Sequence, residues 1–203
     1  MRAKADVVAP GSAGLKWVPK AKSRSETTQE PKERCYHFGS IGWKQSARSV
    51  WDFLEGEGLS RKQTVLVNVE GFANIGRSDA CRDHIGTHQE IWKQLTSNEP
   101  VLRSVLGDVV KKLRRHITID EPDVYIIFVC TWGKHRSVAM AEMMARIVGK
   151  SSESSCCVHH FSKGKWSRFK CGWKHCLCWT MTDVKEAALL RAEALFLELL
   201  SEP

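Results

Sequence analysis

The sequence predicts an α/β protein, a three-layer sandwich with a mostly parallel sheet. Three observations predict it. Segments rich in β-branched residues alternate along the chain with helical ones, which is the order that parallel sheets need. One segment, Val124-Tyr125-Ile126-Ile127-Phe128-Val129, is apolar almost without a break, as a central strand covered on both faces must be. It runs directly into a short glycine-containing loop and a helix start, the junction at which open α/β sheets collect ligands.

The elements read in order as follows. Cys35-Tyr36-His37-Phe38 is a short strand closed by Gly39 and Gly42, and Ser46 to Glu57 is a helix with Val50, Phe53 and Leu54 on one face. Thr64 to Val69 is a β-branched strand, followed by a long polar loop through Asn74, Gly76 and Asp79. Thr87 and Glu90 make a capping box for a short helix carrying Ile91, Trp92 and Leu95. Asn98 caps a longer helix with Pro100 in its first turn and Arg114-Arg115 in its last. After the central strand, Val138 to Val148 is a well-buried helix ended by Gly149. Cys156 to Phe161 is a further strand, and Thr182 to Leu200 is a final helix rich in Ala, Leu and Glu.

Length and composition fit one domain with tails. The 203 residues are 42% hydrophobic, enough for a core, and no apolar run approaches the roughly 20 residues of a membrane span. Residues 1–34 read as a basic disordered arm, with Pro10, Pro19 and Pro31 among scattered lysines. No secretory signal is visible, so an intracellular and cytoplasmic location is expected, with an organelle transit peptide as the alternative reading of the basic arm. A net charge of +8 favours polyanionic partners, RNA among them.

The loop after the central strand carries the chemistry. Cys130-Thr131-Trp132-Gly133-Lys134-His135-Arg136-Ser137 places a glycine, three basic side chains and two hydroxyls at a helix N-terminus, where backbone N–H groups and the positive dipole end face outward. Gly133 lets the backbone curl around an anion, and Arg136 offers a planar fork for two phosphate oxygens. The spacing Cys-x5-Arg-Ser is also that of cysteine-dependent phosphatases. Two functions therefore stand: a phosphate receptor, or a phosphatase with Cys130 as nucleophile and Asp79 or Asp83 as general acid.

Cys130-Thr131-Trp132-Gly133-Lys134-His135-Arg136-Ser137-Val138, followed by Ala141-Glu142, resembles the Cys-Thr-Gly-Gly-Lys/Gln-His-Arg-Ser-Val…Ala-Glu stretch of the RapZ family. Phe38-Gly39, Asn74, Arg82, Gly86 and Val158-His159-His160 extend the likeness over about 35–162, the expected ligand-binding domain. The resemblance implies the C-terminal domain of that family, an RNA-binding adaptor that senses glucosamine 6-phosphate. It places the ligand's phosphate on Thr131, Gly133, Lys134, His135, Arg136 and Ser137, with Arg82, Asn74 and His160 lining the rest. Trp132 replaces a loop glycine, Asn68 and Glu70 replace an aspartate and an arginine, and Phe161-Ser162 replaces Arg-Asp. These departures imply a ligand different from the family's own. No Gly-x4-Gly-Lys-Ser/Thr motif occurs, so nucleotide hydrolysis by the family's P-loop domain is not implied.

Residues 163–203 form a Cys/Trp-rich basic segment plus the last helix. Cys171, His175, Cys176 and Cys178 offer a set of zinc ligands, with Cys157 or His159 able to join from the strand end. Reduced thiols and redox chemistry are the alternatives. Lys163, Lys165, Trp166, Arg168, Phe169, Lys170, Trp173, Lys174 and Trp179 interleave charge with rings, a pattern suited to an RNA backbone and its bases or to tryptophans packing on the last helix.

Overall fold

Alternating short strands and helices in the chain give a four-stranded sheet, all parallel, in the order β2-β3-β1-β4. The strands are β1 (Cys35–Gly42), β2 (Thr64–Asn68), β3 (Asp123–Cys130) and β4 (Ser155–His160). The helices are α1 (Val50–Gly56), α2 (Asp79–Arg82), α3 (Gln89–Ser97), α4 (Glu99–Ile117), α5 (Arg136–Ser151) and α6 (Asp183–Ser201). The computed structural model describes residues 34–45, 49–73, 75, 79–117, 123–151, 154–166 and 177–202. The expected arm, apart from Arg34, lies outside them, as do Asn74, Cys171, His175 and Cys176. No helix among the described residues is long and apolar enough to cross a membrane.

Strand alternation sends side chains to two different cores. Phe38, Val65, Val67, Ile126 and Phe128 face one way and are buried with the apolar sides of α4, α5 and α6. Ile41 and Ile127 face the other way, under Leu54 of α1. Each such side chain taken fully from water contributes about 1.5–3 kcal/mol, so the larger cluster dominates folding. Helix α6 lies outermost, packed on α3 and α4. Arg103 of α4 grips Glu198 of α6 through both carboxylate oxygens at 2.9 and 3.2 Å on the surface, where solvent screens such a pair.

Several boundaries differ from the sequence expectation, each for a physical reason. Strand β1 does not stop at Gly39 but continues to Gly42, because these glycines admit close neighbours. A Cβ on Gly39 would lie 2.3 Å from Ile127 Cδ1. Helix α1 is shorter than expected. Ser49 caps it, accepting from the Asp52 amide at 3.1 Å while Asp52 accepts from the Ser49 amide at 3.2 Å. His88, not Thr87, caps α3: its Nδ1 accepts from the Glu90 amide, and burial beside His84 keeps the ring below its ordinary pKa, free to accept. Helix α5 passes through Gly149 to Ser151. The long loop after β2 is no solvated excursion, since Val69, Phe72, Ile75 and Cys81 enter the main core.

The topology locates a crevice. The chain leaves β1 toward α1 on one face and leaves the adjacent β3 toward α5 on the other. Neighbouring parallel strands whose connections part to opposite faces open a gap at their carboxyl ends. Here the two carboxyl ends lie side by side, with Gly42 and Lys44 packed directly against the loop 131–135.

Candidate phosphate-binding site

Three glycines bring three stretches of backbone together around the loop. Gly133 has φ +60°, the left-handed region, and a Cβ there would lie 2.3 Å from Gly42 N. A Cβ on Gly42 would in turn sit 2.4 Å from the Trp132 carbonyl carbon. Gly86 lies against the start of α5, where a Cβ would meet the His135 carbonyl oxygen at 2.1 Å. Hydrogen bonds fix the same contacts: the Gly42 amide donates to Ser162 Oγ at 3.1 Å, Gly86 to the Lys134 carbonyl at 2.8 Å, and Lys44 to the Thr131 carbonyl at 3.1 Å. The first α5 backbone bond runs from Ala139 to the His135 carbonyl, so the amides just before it have no helical acceptor.

The basic side chains brace this frame. Lys134 is buried and its ammonium donates to the Arg82 carbonyl. Arg82 therefore meets the loop through its backbone, and the residue itself is exposed. His135 Nε2 donates to the His84 carbonyl at 2.9 Å. Burial, with Lys134 and Arg136 beside it, pushes the His135 pKa down to about 4, so the ring is neutral at pH 7. Arg136, 9% exposed, spans to the loop after β2: Nη1 donates to the carbonyls of Glu70 at 3.0 Å and Phe72 at 2.8 Å, and Nη2 reaches Thr131 Oγ1 at 3.4 Å.

Glu70 brings a carboxylate to the rim. It accepts from the Thr131 hydroxyl at 2.5 Å and from Trp43 Nε1 at 2.8 Å. Those two donors, with Arg136 and Lys44 nearby, hold its pKa below the ordinary carboxylate value. Trp43 and Trp132 are exposed on either side of Lys44, whose ammonium lies 5.3 and 5.6 Å from their ring centres.

Other predicted residues fall away from the loop's mouth. Cys130 is 3% exposed within the main core, with Sγ 3.2 Å from the buried Ser137 Oγ. His160 belongs to a polar chain beneath α5. Its Nε2 donates to Glu142 at 3.2 Å, and Ser40, its register partner, meets Nδ1 at 2.8 Å. Trp166, expected among the RNA-stacking rings, is instead buried against Ile85, Val138 and Cys178 and donates to the Gly133 carbonyl at 3.3 Å. Cys178, from the expected zinc set, is buried with Sγ 3.4 Å from His84 Nδ1. The sequence did not single out Ser40 or Ser162. Their only signal is register, because each meets a residue 120 positions away.

No curated protein matches the chain. A family model described as RapZ C-terminal domain matches residues 50–163, more than half of the sequence, and takes in the loop, α5 and β4 while starting after β1. By that match the chain belongs to the RapZ C-terminal domain family.

Proposed function

We propose that the chain is a regulatory module that receives the phosphate of a small ligand at the loop 131–137 and contacts RNA along the same rim. The observation that carries this reading is the loop's construction at the adjoining carboxyl ends of β1 and β3. Backbone packed closely at Gly133 and Gly42 leads into a helix N-terminus flanked by buried Lys134 and Arg136. Such a junction stabilises an oxyanion through amides and dipole without any rearrangement. The exposed pair Trp43 and Trp132 around Lys44 adds ring faces and charge beside the mouth, suited to a sugar or base of the ligand and to unpaired RNA bases. The cysteine-phosphatase reading has less support, because Cys130 lies in the core and the Arg136 fork is engaged by carbonyls.

Calorimetric titration with inorganic phosphate, glucosamine 6-phosphate and nucleoside monophosphates tests the first half. Saturable binding is expected, weakened about tenfold by Lys134→Gln and retained by Cys130→Ser. Failure of every phosphate compound to bind at moderate salt removes the proposal. For RNA, fluorescence anisotropy across a salt series should show binding that weakens with salt and drops in Trp132→Ala. Unchanged binding by that variant refutes the rim.

A further inference from the structure

At the opposite end of the sheet, two Cys-x-His pairs lie on adjacent parallel strands: Cys35 and His37 on β1, Cys157 and His159 on β4. Residues two apart in a strand share a face, so all four point to the side of the sheet that carries α1. Sγ of Cys35, Sγ of Cys157 and a ring nitrogen of His37 all lie within 4.8 Å of one another. His159 Nε2 is 3.0 Å from His37 Nδ1. The other nitrogen of His37, Nε2, is 3.3 Å from Asp123 Oδ1 on β3.

We infer that Cys35, His37, Cys157 and His159 form a tetrahedral site for a thiolate-preferring divalent cation, zinc in the first instance. Three features of the geometry support it. In a tetrahedral Cys2His2 zinc site neighbouring nitrogens are about 3.3 Å apart and neighbouring sulfurs about 3.8 Å. The facing imidazole nitrogens already have nearly that spacing, the sulfurs need to close by about 1 Å at most, and His159, which meets the group through His37 rather than standing within it, turns toward the sulfurs on binding. Asp123 holds His37 as a carboxylate holds a ligating histidine. It accepts the Nε2 proton and leaves Nδ1 as a lone pair aimed at the cluster. The site is also open to entry, since Cys157 is exposed and Cys35 half-buried. Binding replaces the two thiol protons, which pass to solvent, with two metal–sulfur bonds. No electron moves. All four ligands come from protein, which describes a closed structural site that staples the edge strand β4 to its neighbour. This site lies apart from the phosphate loop and does not depend on that reading.

The test is a cobalt(II) titration of the reduced, metal-stripped full chain, followed by zinc competition. Expected are a sulfur-to-cobalt charge-transfer band, the visible bands of a tetrahedral ion and displacement by zinc. Cys157→Ser, at an exposed position, should leave the circular dichroism spectrum unchanged and weaken zinc binding more than tenfold. Asp123→Asn should weaken it about tenfold by freeing the His37 ring. A Cys171→Ser/His175→Ala/Cys176→Ser variant should keep the metal. The assignment is overturned if the wild-type chain gives no charge-transfer band. It is overturned equally if the metal leaves with the 171–176 triple variant and stays in Cys157→Ser. A Cys35–Cys157 disulfide that yields no metal-binding protein after reduction also overturns it.

Discussion

At the carboxyl end of the sheet, Gly42, Gly86 and Gly133 bring backbone against backbone, and Lys134, His135 and Arg136 are tied to carbonyls of two other segments, 70–72 and 82–84. At the amino end, ligating atoms of Cys35, His37 and Cys157 lie within 4.8 Å of one another and His159 meets His37, all through side chains. The first end is preorganised by packing, so its shape is a property of the folded chain alone. The second is held by side-chain contacts, which the proposed cation would tighten. Substitutions should therefore damage the loop end at once, and affect the other end only when a cation is present.

The largest effect is expected at Gly133. Alanine there must hold a left-handed φ and force its Cβ against Gly42 N, which is backbone and cannot turn aside. The conformational cost of about 1–2 kcal/mol and an overpacking cost of similar size should lower stability by about 2–4 kcal/mol. Urea unfolding measures this, and phosphate binding should vanish with it. A fully stable, fully binding Gly133→Ala protein would show that the loop is plastic and end the contrast.

His135 gives the next effect, through pH. Its folded pKa of about 4 lies below the unfolded 6.5, so between those values the unfolded chain binds the proton more readily. Stability contributed by the neutral ring is complete above about pH 7 and declines as pH falls toward 4, by up to about 3 kcal/mol. Below that, both states are protonated and the slope ends. His135→Gln should flatten this segment of the pH profile. Arg136→Lys follows, at about 2 kcal/mol. The shorter lysine does not bring a donor to the position of Nη1, which serves both the Glu70 and Phe72 carbonyls, and one buried acceptor is left unpaired.

The loop end was partly legible in the sequence because its signals are contiguous. Gly133, Lys134, His135 and Arg136 stand in a row after an unbroken apolar strand, and α5 and α6 follow from periodic apolar residues and, for α6, the Thr182 cap. What those residues hold was not legible. Arg136 reads as a phosphate clamp until the fold supplies carbonyls from the segment after β2. Trp166 reads as a base-stacking ring until Ile85 and Val138 enclose it. His88 displaces Thr87 as the α3 cap although Thr87 and Glu90 have the better spacing. The Cys-His cluster was legible only in its second half, where Cys157 and His159 stood as candidate ligands. Its halves are 122 residues apart and become neighbours only because β4 pairs with β1 rather than with β3.

Glu70 sharpens the contrast from within the loop end. Its carboxylate occupies the Thr131 hydroxyl and places a negative charge at the mouth. Glu70→Gln should release that hydroxyl and raise phosphate affinity several-fold with little change in stability. An unchanged affinity would mean that phosphate binds clear of Thr131.

The smallest effect should come from Cys157→Ser in metal-free protein. The side chain is exposed and its partner Cys35 loses only a weak thiol contact, so stability should change by less than about 0.5 kcal/mol. That near-zero is informative because of what zinc should then do. A ligand that binds only the folded state raises stability in proportion to the logarithm of its concentration over the dissociation constant. Wild-type chain should accordingly melt higher with each step of added zinc, while Cys157→Ser stays where it was. The two proteins would coincide without metal and diverge with it. No substitution at the carboxyl end should behave this way, because contacts between backbones do not depend on an added ion.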